Sequence, residues 1–195
     1  MDGQERVLTI SRSLIDPLCG DVFTTDVEPI RAVILERAEF LERGKVEQDL
    51  RYKQIIPYVV LRHGDKYLLI RRTPKQAEAR LHDKYSLGVG GHINALDLSQ
   101  GDLLDSGMRR ELNEEIKVHE GTCRMAAIIN DDTTEVDRVH LAVVYLLECR
   151  SPEFANMEPE AYTAEWQTPE EIAKKYASLE SWSKIVFDRM ARRAI

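Results

Sequence analysis

Apolar and polar positions follow one another in short blocks, so the chain reads as many brief strands, a few helices and polar connections. Val7-Leu8-Thr9-Ile10 predicts a strand, and Asp16-Pro17-Leu18-Cys19-Gly20 a turn. From Pro29 to Arg43 the apolar residues Ile30, Val33, Ile34, Ala38 and Leu41 recur at helical spacing. Glu28 suits the positive end of that helix, Pro29 its first turn and Gly44 its end, with Glu36, Arg37, Glu39, Glu42 and Arg43 outward. Ile55 to Leu61 reads as a buried strand and Tyr67 to Arg72 as its returning partner. Gly64-Asp65 is not the Asn-Gly order of a two-residue hairpin, so a longer loop is expected. After a polar loop, Tyr85 to Gly91 reads as a strand entering a turn. Thr122–Asn130 and Val139–Leu147 follow as strands, the second the longest β-like run and hence central, with His140 a satisfied sheet residue. A loop over 150–162 leads to a strand at Glu165-Trp166 and a helix capped by Thr168 with Pro169 in its first turn. Ser181 to Ala194 closes the chain as a helix with Ile185, Val186 and Met190 inward and Trp182 in the core.

The most informative stretch lies between Gly88 and Val118. Gly101 punctuates it, Asp102 is a good N-cap, and Leu104, Met108, Leu112 and Ile116 recur every fourth residue. At about 100° per residue, Glu111, Glu114 and Glu115 share an arc of roughly 100° bordering that stripe, while Arg109, Asn113 and Lys117 lie on the other side. Gly107 sits at the centre of the acidic arc, where a side chain would crowd whatever approaches the carboxylates. Three clustered carboxylates raise each other's pKa, and a divalent cation resolves the conflict. Hard oxygen ligands suit Mg²⁺ or Mn²⁺. The bland alternative is a solvated charged face with Arg110 as an ordinary partner.

Arg110-Glu111-Leu112-Asn113-Glu114-Glu115, preceded by Gly90-Gly91, resembles the Nudix box, G-x5-E-x7-R-E-U-x-E-E-x-G-U, of the MutT-like Nudix hydrolases. Asp102 stands x7 before Arg110, where the family has Glu, and Gly91 matches the opening Gly with five extra residues between it and Asp102. Lys117 replaces the second Gly, and Val118 fits the last apolar position. Ile56 to Arg62 with Gly90 to Asn94 is similar to a bacterial subgroup described as predicted phosphoesterases. The resemblance implies an α/β fold: a Nudix-type α/β/α sandwich with a mixed central sheet, here with an N-terminal strand–helix extension. Residues 1–51 would be the extension, packing on the core or forming a homodimer contact, and residues 52–195 the Nudix domain.

The same resemblance implies a metal-dependent hydrolase acting on a nucleoside diphosphate linked to another moiety. Glu111, Glu114 and Glu115, with the Gly91 carbonyl, would hold Mg²⁺ or Mn²⁺, and Arg110 would orient Glu111. The general base would be Glu111, or Glu158 or Glu160 in the 150–162 loop. Arg71, Arg72, Arg80 and Lys84 gather in sequence before the glycine turn and are candidates for substrate phosphates. His92 reads as a local hydrogen-bonding residue before a ligand, and Asp131-Asp132 as a turn before a site loop. The rival is a Nudix module that binds a nucleotide and regulates a partner without catalysis. An isoprenoid-diphosphate isomerase ranks low, because no Cys occurs between Gly91 and Glu115.

Composition narrows the partners. A net charge of −7 and a pI of about 5.3 argue against a nucleic-acid polymer, though not against a nucleotide beside a cation. Cys19, Cys123 and Cys149 are widely spaced and read as buried thiols. No apolar run reaches a membrane span's roughly 18 residues. No secretory signal follows Met1, and a cytoplasmic location is expected.

Overall fold

The structure, a computed structural model, describes residues 5–73 and 84–191. In chain order its elements are β1 (Arg6–Ser11), α1 (Arg12–Ile15), β2 (Phe23–Thr24), α2 (Glu28–Arg37), β3 (Glu39–Glu42), α3 (Arg43–Val46), β4 (Tyr52–His63) and β5 (Lys66–Arg72). After residue 83 come β6 (Tyr85–Ser86), β7 (Gly88–Val89), α4 (Leu103–Glu115), β8 (Ile116–Val118), β9 (Gly121–Ile129) and β10 (His140–Cys149). The chain closes with β11 (Phe154–Asn156), β12 (Tyr162–Gln167), α5 (Pro169–Ala173) and α6 (Ser181–Val186). None of the described helices is long and apolar enough to cross a membrane. The described residues form two compact units: one of 5–58, 90–111 and 125–145, the other of 59–73, 84–89, 112–124 and 146–191.

In the first unit β1 pairs antiparallel with β3 (Leu8↔Phe40, Val7↔Leu41) and with the start of β4 (Thr9↔Gln54, Ile10↔Lys53). Residues 53–61 of β4 are buried without interruption, as in a strand covered on both faces. The helix expected over 29–43 ends early. α2 stops at Arg37, Ala38 is extended, and Glu39–Glu42 becomes β3. The edge of β1 satisfies the backbone of those four residues, and that tertiary partner overrides the helical spacing. Gly44 consequently lies inside α3 and ends nothing.

Lys53 is fully buried on β4, and its ammonium has three oxygens at 2.9 Å: the Asp131 and Asp137 carbonyls and the Asp132 carboxylate. The Asp131 carboxylate accepts from the Asp132 and Thr133 amides and the Thr133 hydroxyl. The Asp131-Asp132 turn is thus locked locally and onto β4.

In the second unit β5 is the centre. It pairs with β12 from Tyr162↔Arg72 to Gln167↔Tyr67, with β6 (Arg71↔Tyr85), and with the end of β4 (His63↔Lys66). That last pair leaves only Gly64-Asp65 in the loop, where a longer connection was expected. Gly64 at φ 60° supplies the left-handed backbone that a two-residue hairpin needs. Beyond β12, α5 begins in a capping box. The Thr168 hydroxyl accepts from the Glu171 amide, and the Glu171 carboxylate accepts from the Thr168 amide at 2.8 Å. The final helix is α6 followed by one π turn over Phe187–Ala191. Its buried stripe is Ser183, Val186, Phe187 and Ala191, so Val186 is inward as expected but Ile185 and Met190 are only half-buried. Cys19 and Cys149 are buried thiols; desolvation first, with a nearby carboxylate, pushes each up to about 11.

Candidate active site

Helix α4 forms as its pattern predicts. Asp102 caps it, its Oδ1 accepting from the Leu104 and Asp105 amides at 3.1 Å each, while its other oxygen pairs with Arg31. Leu104, Met108 and Leu112 are buried, as is Ile116, which already belongs to β8. Arg109, Asn113 and Lys117 are exposed. Gly107 serves a different purpose from the one expected. A Cβ there would stand 2.7 Å from Cγ1 of the buried Ile93, so the glycine lets α4 pack closely, and it does not guard the carboxylates.

Arg110 is clamped. Its Nε and Nη2 donate to the two oxygens of Asp97 at 2.9 and 3.0 Å, and Nη2 also donates to the His92 carbonyl at 2.8 Å. Its Nη1 donates to Glu111 Oε1 at 2.7 Å. Asp97 is only 2% exposed. The Asp97 carboxylate, foremost, and Glu111 raise the pKa of Arg110 above its ordinary value. The guanidinium therefore orients Glu111 through a fork held from behind by Asp97.

This geometry corrects the alignment of the motif. The acidic residue that holds Arg110 is Asp97, and Asp102 is a helix cap. Gly91-x5-Asp97 keeps the opening spacing of the box intact, so the five extra residues fall between Asp97 and Arg110 and not between Gly91 and the acidic position. The signal was present in the sequence as an Asp six positions after Gly91. Seven residues counted back from Arg110 lead to Asp102 because of the extra five.

Gly91 leaves room for the end of the Glu111 side chain. A Cβ there would collide with the Glu111 carboxylate, 2.6 Å from its Cδ. The carboxylate lies against bare backbone at the turn. Gly90 is constrained similarly, since its Cβ would strike the Pro57 carbonyl. His92 turns away into a structural pair: its Nε2 is 3.0 Å from Gln54 Oε1, and its ring lies 5.5 Å from that of His140. Desolvation, with Arg43 and His140 nearby, pushes His92 down to about 3. His140 Nδ1 is 2.7 Å from the Val136 carbonyl. Both histidines behave as the sequence suggested, as hydrogen-bonded structural residues.

In the second unit, the last turn of α4 brings Glu114 and Glu115 to a loop carrying Glu158 and Glu160. The Glu115 carbonyl accepts from the Met157 amide at 2.9 Å and from the Tyr162 hydroxyl at 2.5 Å. Glu158 and Glu160 are both exposed and flank Pro159 in the chain. The Glu160 carbonyl accepts from the Thr73 hydroxyl at 2.6 Å. Arg71 is exposed on β5 between Thr163 and Tyr85. Arg72 is engaged by Glu180, Nε to Oε1 at 3.0 Å. Its amide donates to the Lys84 carbonyl. Arg80 lies outside the described residues.

The donor set suits a hard divalent cation. It consists of three glutamates on adjacent turns of one helix, spaced i, i+3 and i+4 so that they share a face. The Gly91 backbone supplies a cradle that a Cβ would fill, directly against Glu111. Among the described residues no three acidic, histidine or cysteine side chains already converge as metal ligands, so ligation requires rotation of the flexible glutamates.

A mixed α/β fold with a glycine turn facing an Arg-Glu-x-x-Glu-Glu helix defines a class of diphosphate-directed hydrolases. Comparison with known proteins agrees: residues 53–190 match the NUDIX domain model, and the chain belongs to that family as a Nudix-type hydrolase. Protein YmaB of Bacillus subtilis (strain 168) is 35% identical over 170 residues, covering 83% of this chain and 82% of that protein. The crystal structure of Tm1382, a proposed Nudix hydrolase, superposes with a TM-score of 0.84 at 31% identity, covering 97% of this chain and 100% of that one. The NUDIX domain of Shewanella oneidensis NrtR, solved with ADP ribose, shares the fold at 14% identity with a TM-score of 0.56, covering 73% and 89%.

Proposed function

We propose that this chain is a metal-dependent hydrolase that cleaves the diphosphate bond of a nucleoside diphosphate linked to another moiety. The observation that supports this most is the contact of the Glu111 carboxylate with the bare backbone of Gly91, held there by Arg110 and Asp97. A structural acidic helix has no need of that arrangement. Glu111, Glu114, Glu115 and the Gly91 carbonyl would hold Mg²⁺ or Mn²⁺. When bound, such an ion neutralises the diphosphate and lowers the pKa of the attacking water. Arg110 orients Glu111 and does not touch substrate. A carboxylate would take the remaining proton: Glu111 if it is not fully engaged as a ligand, otherwise Glu158 or Glu160. Arg71 and Lys84 would face the outer phosphate or its substituent, while Arg72 is held by Glu180. The ADP ribose bound by the NrtR domain is a compound of the proposed class.

The test is phosphate release, coupled through phosphatase or pyrophosphatase, over nucleotides, nucleotide sugars and dinucleoside polyphosphates with Mg²⁺ or Mn²⁺. Metal-dependent turnover that falls at least about 100-fold in Glu114→Gln supports the reading and names the substrate class. Tight metal-dependent nucleotide binding without turnover of any compound overturns it in favour of a regulatory module.

A further inference from the structure

The end of α4 is built differently from most helix ends. Helices commonly close on a glycine in the left-handed conformation, and the Nudix box has a glycine where this chain has Lys117. Here the chain passes from Glu115 straight into β8, which pairs antiparallel with β11 (Ile116↔Asn156, Lys117↔Ala155). The last carbonyls of a helix lack intrahelical donors. That of Glu115 takes both the Met157 amide and the Tyr162 hydroxyl.

Tyr162 is only 1% exposed, and it opens β12 opposite Arg72. Between its two ends the loop is tied to itself. Asn156 Oδ1 accepts from the Glu158 amide at 2.9 Å, and Asn156 Nδ2 donates to the Tyr162 carbonyl at 2.8 Å. The Glu158 carbonyl accepts from the Ala161 and Tyr162 amides. The backbone of Glu158 is thus tied to Asn156 and Tyr162, whereas the Glu160 carbonyl is tied to the Thr73 hydroxyl.

We propose that Tyr162 is a positioning residue that fastens the carboxylate-bearing end of α4 to the loop of Glu158, so that Glu115 and Glu158 are held as one pair. The proposal rests on the function proposed above, and it selects Glu158 over Glu160 as the loop carboxylate of the site. Tyr162 takes the place of the absent glycine at the helix end. Together with the Met157 amide, this O–H closes the helix end and fastens it to the loop of Glu158.

The test is Tyr162→Phe, which keeps the buried ring and removes only the hydroxyl. Mn²⁺ alone, titrated by electron paramagnetic resonance, should bind about 5- to 10-fold more weakly, the loss expected for one hydrogen bond. On the most active substrate of the panel, kcat should fall about 10-fold with KM within about twofold, and the effect should be non-additive with Glu158→Gln. Thr73→Ala, which loosens the same loop at its outer anchor, should move the same readouts less and in the same direction. A wild type that binds Mn²⁺ and turns over, with Tyr162→Phe equal to it in both or strictly additive with Glu158→Gln, overturns the positioning role alone. A wild type that neither binds Mn²⁺ nor turns over overturns the proposed function, and the positioning role with it.

Discussion

Replacing Asp97 with Asn tests which acidic residue supports Arg110. In the structure Asp97 Oδ1 and Oδ2 each receive one N–H of Arg110, and Oδ2 also receives the Asn94 amide at 3.0 Å. The substitution removes the charge and turns one acceptor into a donor that faces a guanidinium N–H. A charge-assisted hydrogen bond is worth about 1.5–3 kcal/mol. The Arg110 side chain is 24% exposed, so solvent screens part of the loss, and a net cost of about 2 kcal/mol is expected. For a chain of this size that lowers Tm by about 4–8 °C. Arg110 would then hold Glu111 less firmly, and kcat should fall about 10- to 100-fold. Asp102→Asn is the control. Asn caps a helix as well as Asp does, and the Arg31 pair it would lose is partly exposed and worth under about 1 kcal/mol. Thermal melts and steady-state kinetics of the two variants decide the matter. A neutral Asp97→Asn beside a damaging Asp102→Asn would refute the reassignment of the motif.

Three further outcomes follow from the same geometry. Gly91→Ala places a methyl group into the Glu111 carboxylate, so kcat should drop at least about 10-fold while circular dichroism stays native. Lys53→Met keeps the volume but strips three hydrogen bonds from a buried ammonium and orphans two carbonyls. Urea melts should show a loss of about 2–4 kcal/mol. His140 is held below its ordinary pKa, chiefly by desolvation, so the unfolded chain takes up a proton that the folded one refuses. Its contribution is complete above about pH 6.5 and is lost as pH falls toward its depressed folded value. Urea melts at pH 7 and pH 5 should therefore show a loss in acid, about 1 kcal/mol of which disappears in His140→Gln.

How much of this was legible in the sequence depended on whether local pattern or distant contact decided the outcome. The stripe Leu104, Met108, Leu112 marked α4 because a helix face must be buried, and the apolar run Ile55 to Leu61 marked β4 as a buried strand. The Thr168 cap was readable for the same local reason. The end of α2 was not, since Glu39–Glu42 has helical spacing and becomes a strand only because β1 lies beside it. The purpose of Gly107 depends on Ile93, fourteen positions earlier in the chain, and that of Tyr162 on a carbonyl forty-seven positions away. Asp97 was hidden by the choice of anchor for counting, and only the fork from Arg110 distinguishes it from Asp102. That Glu111, Glu114 and Glu115 share one arc of α4 was evident from periodicity. Their support, by contrast, comes from loops whose residues carry no regular pattern.

The measurement that bears most directly on the central claim is turnover by protein stripped with chelator and then titrated with Mn²⁺, for wild type and Glu114→Gln. The account predicts negligible turnover by the stripped wild type, saturable recovery on adding Mn²⁺, and a Glu114→Gln curve that is both weaker in metal affinity and at least about 100-fold lower at its plateau. Undiminished turnover after stripping, or a Glu114→Gln curve superposed on that of the wild type, would contradict it.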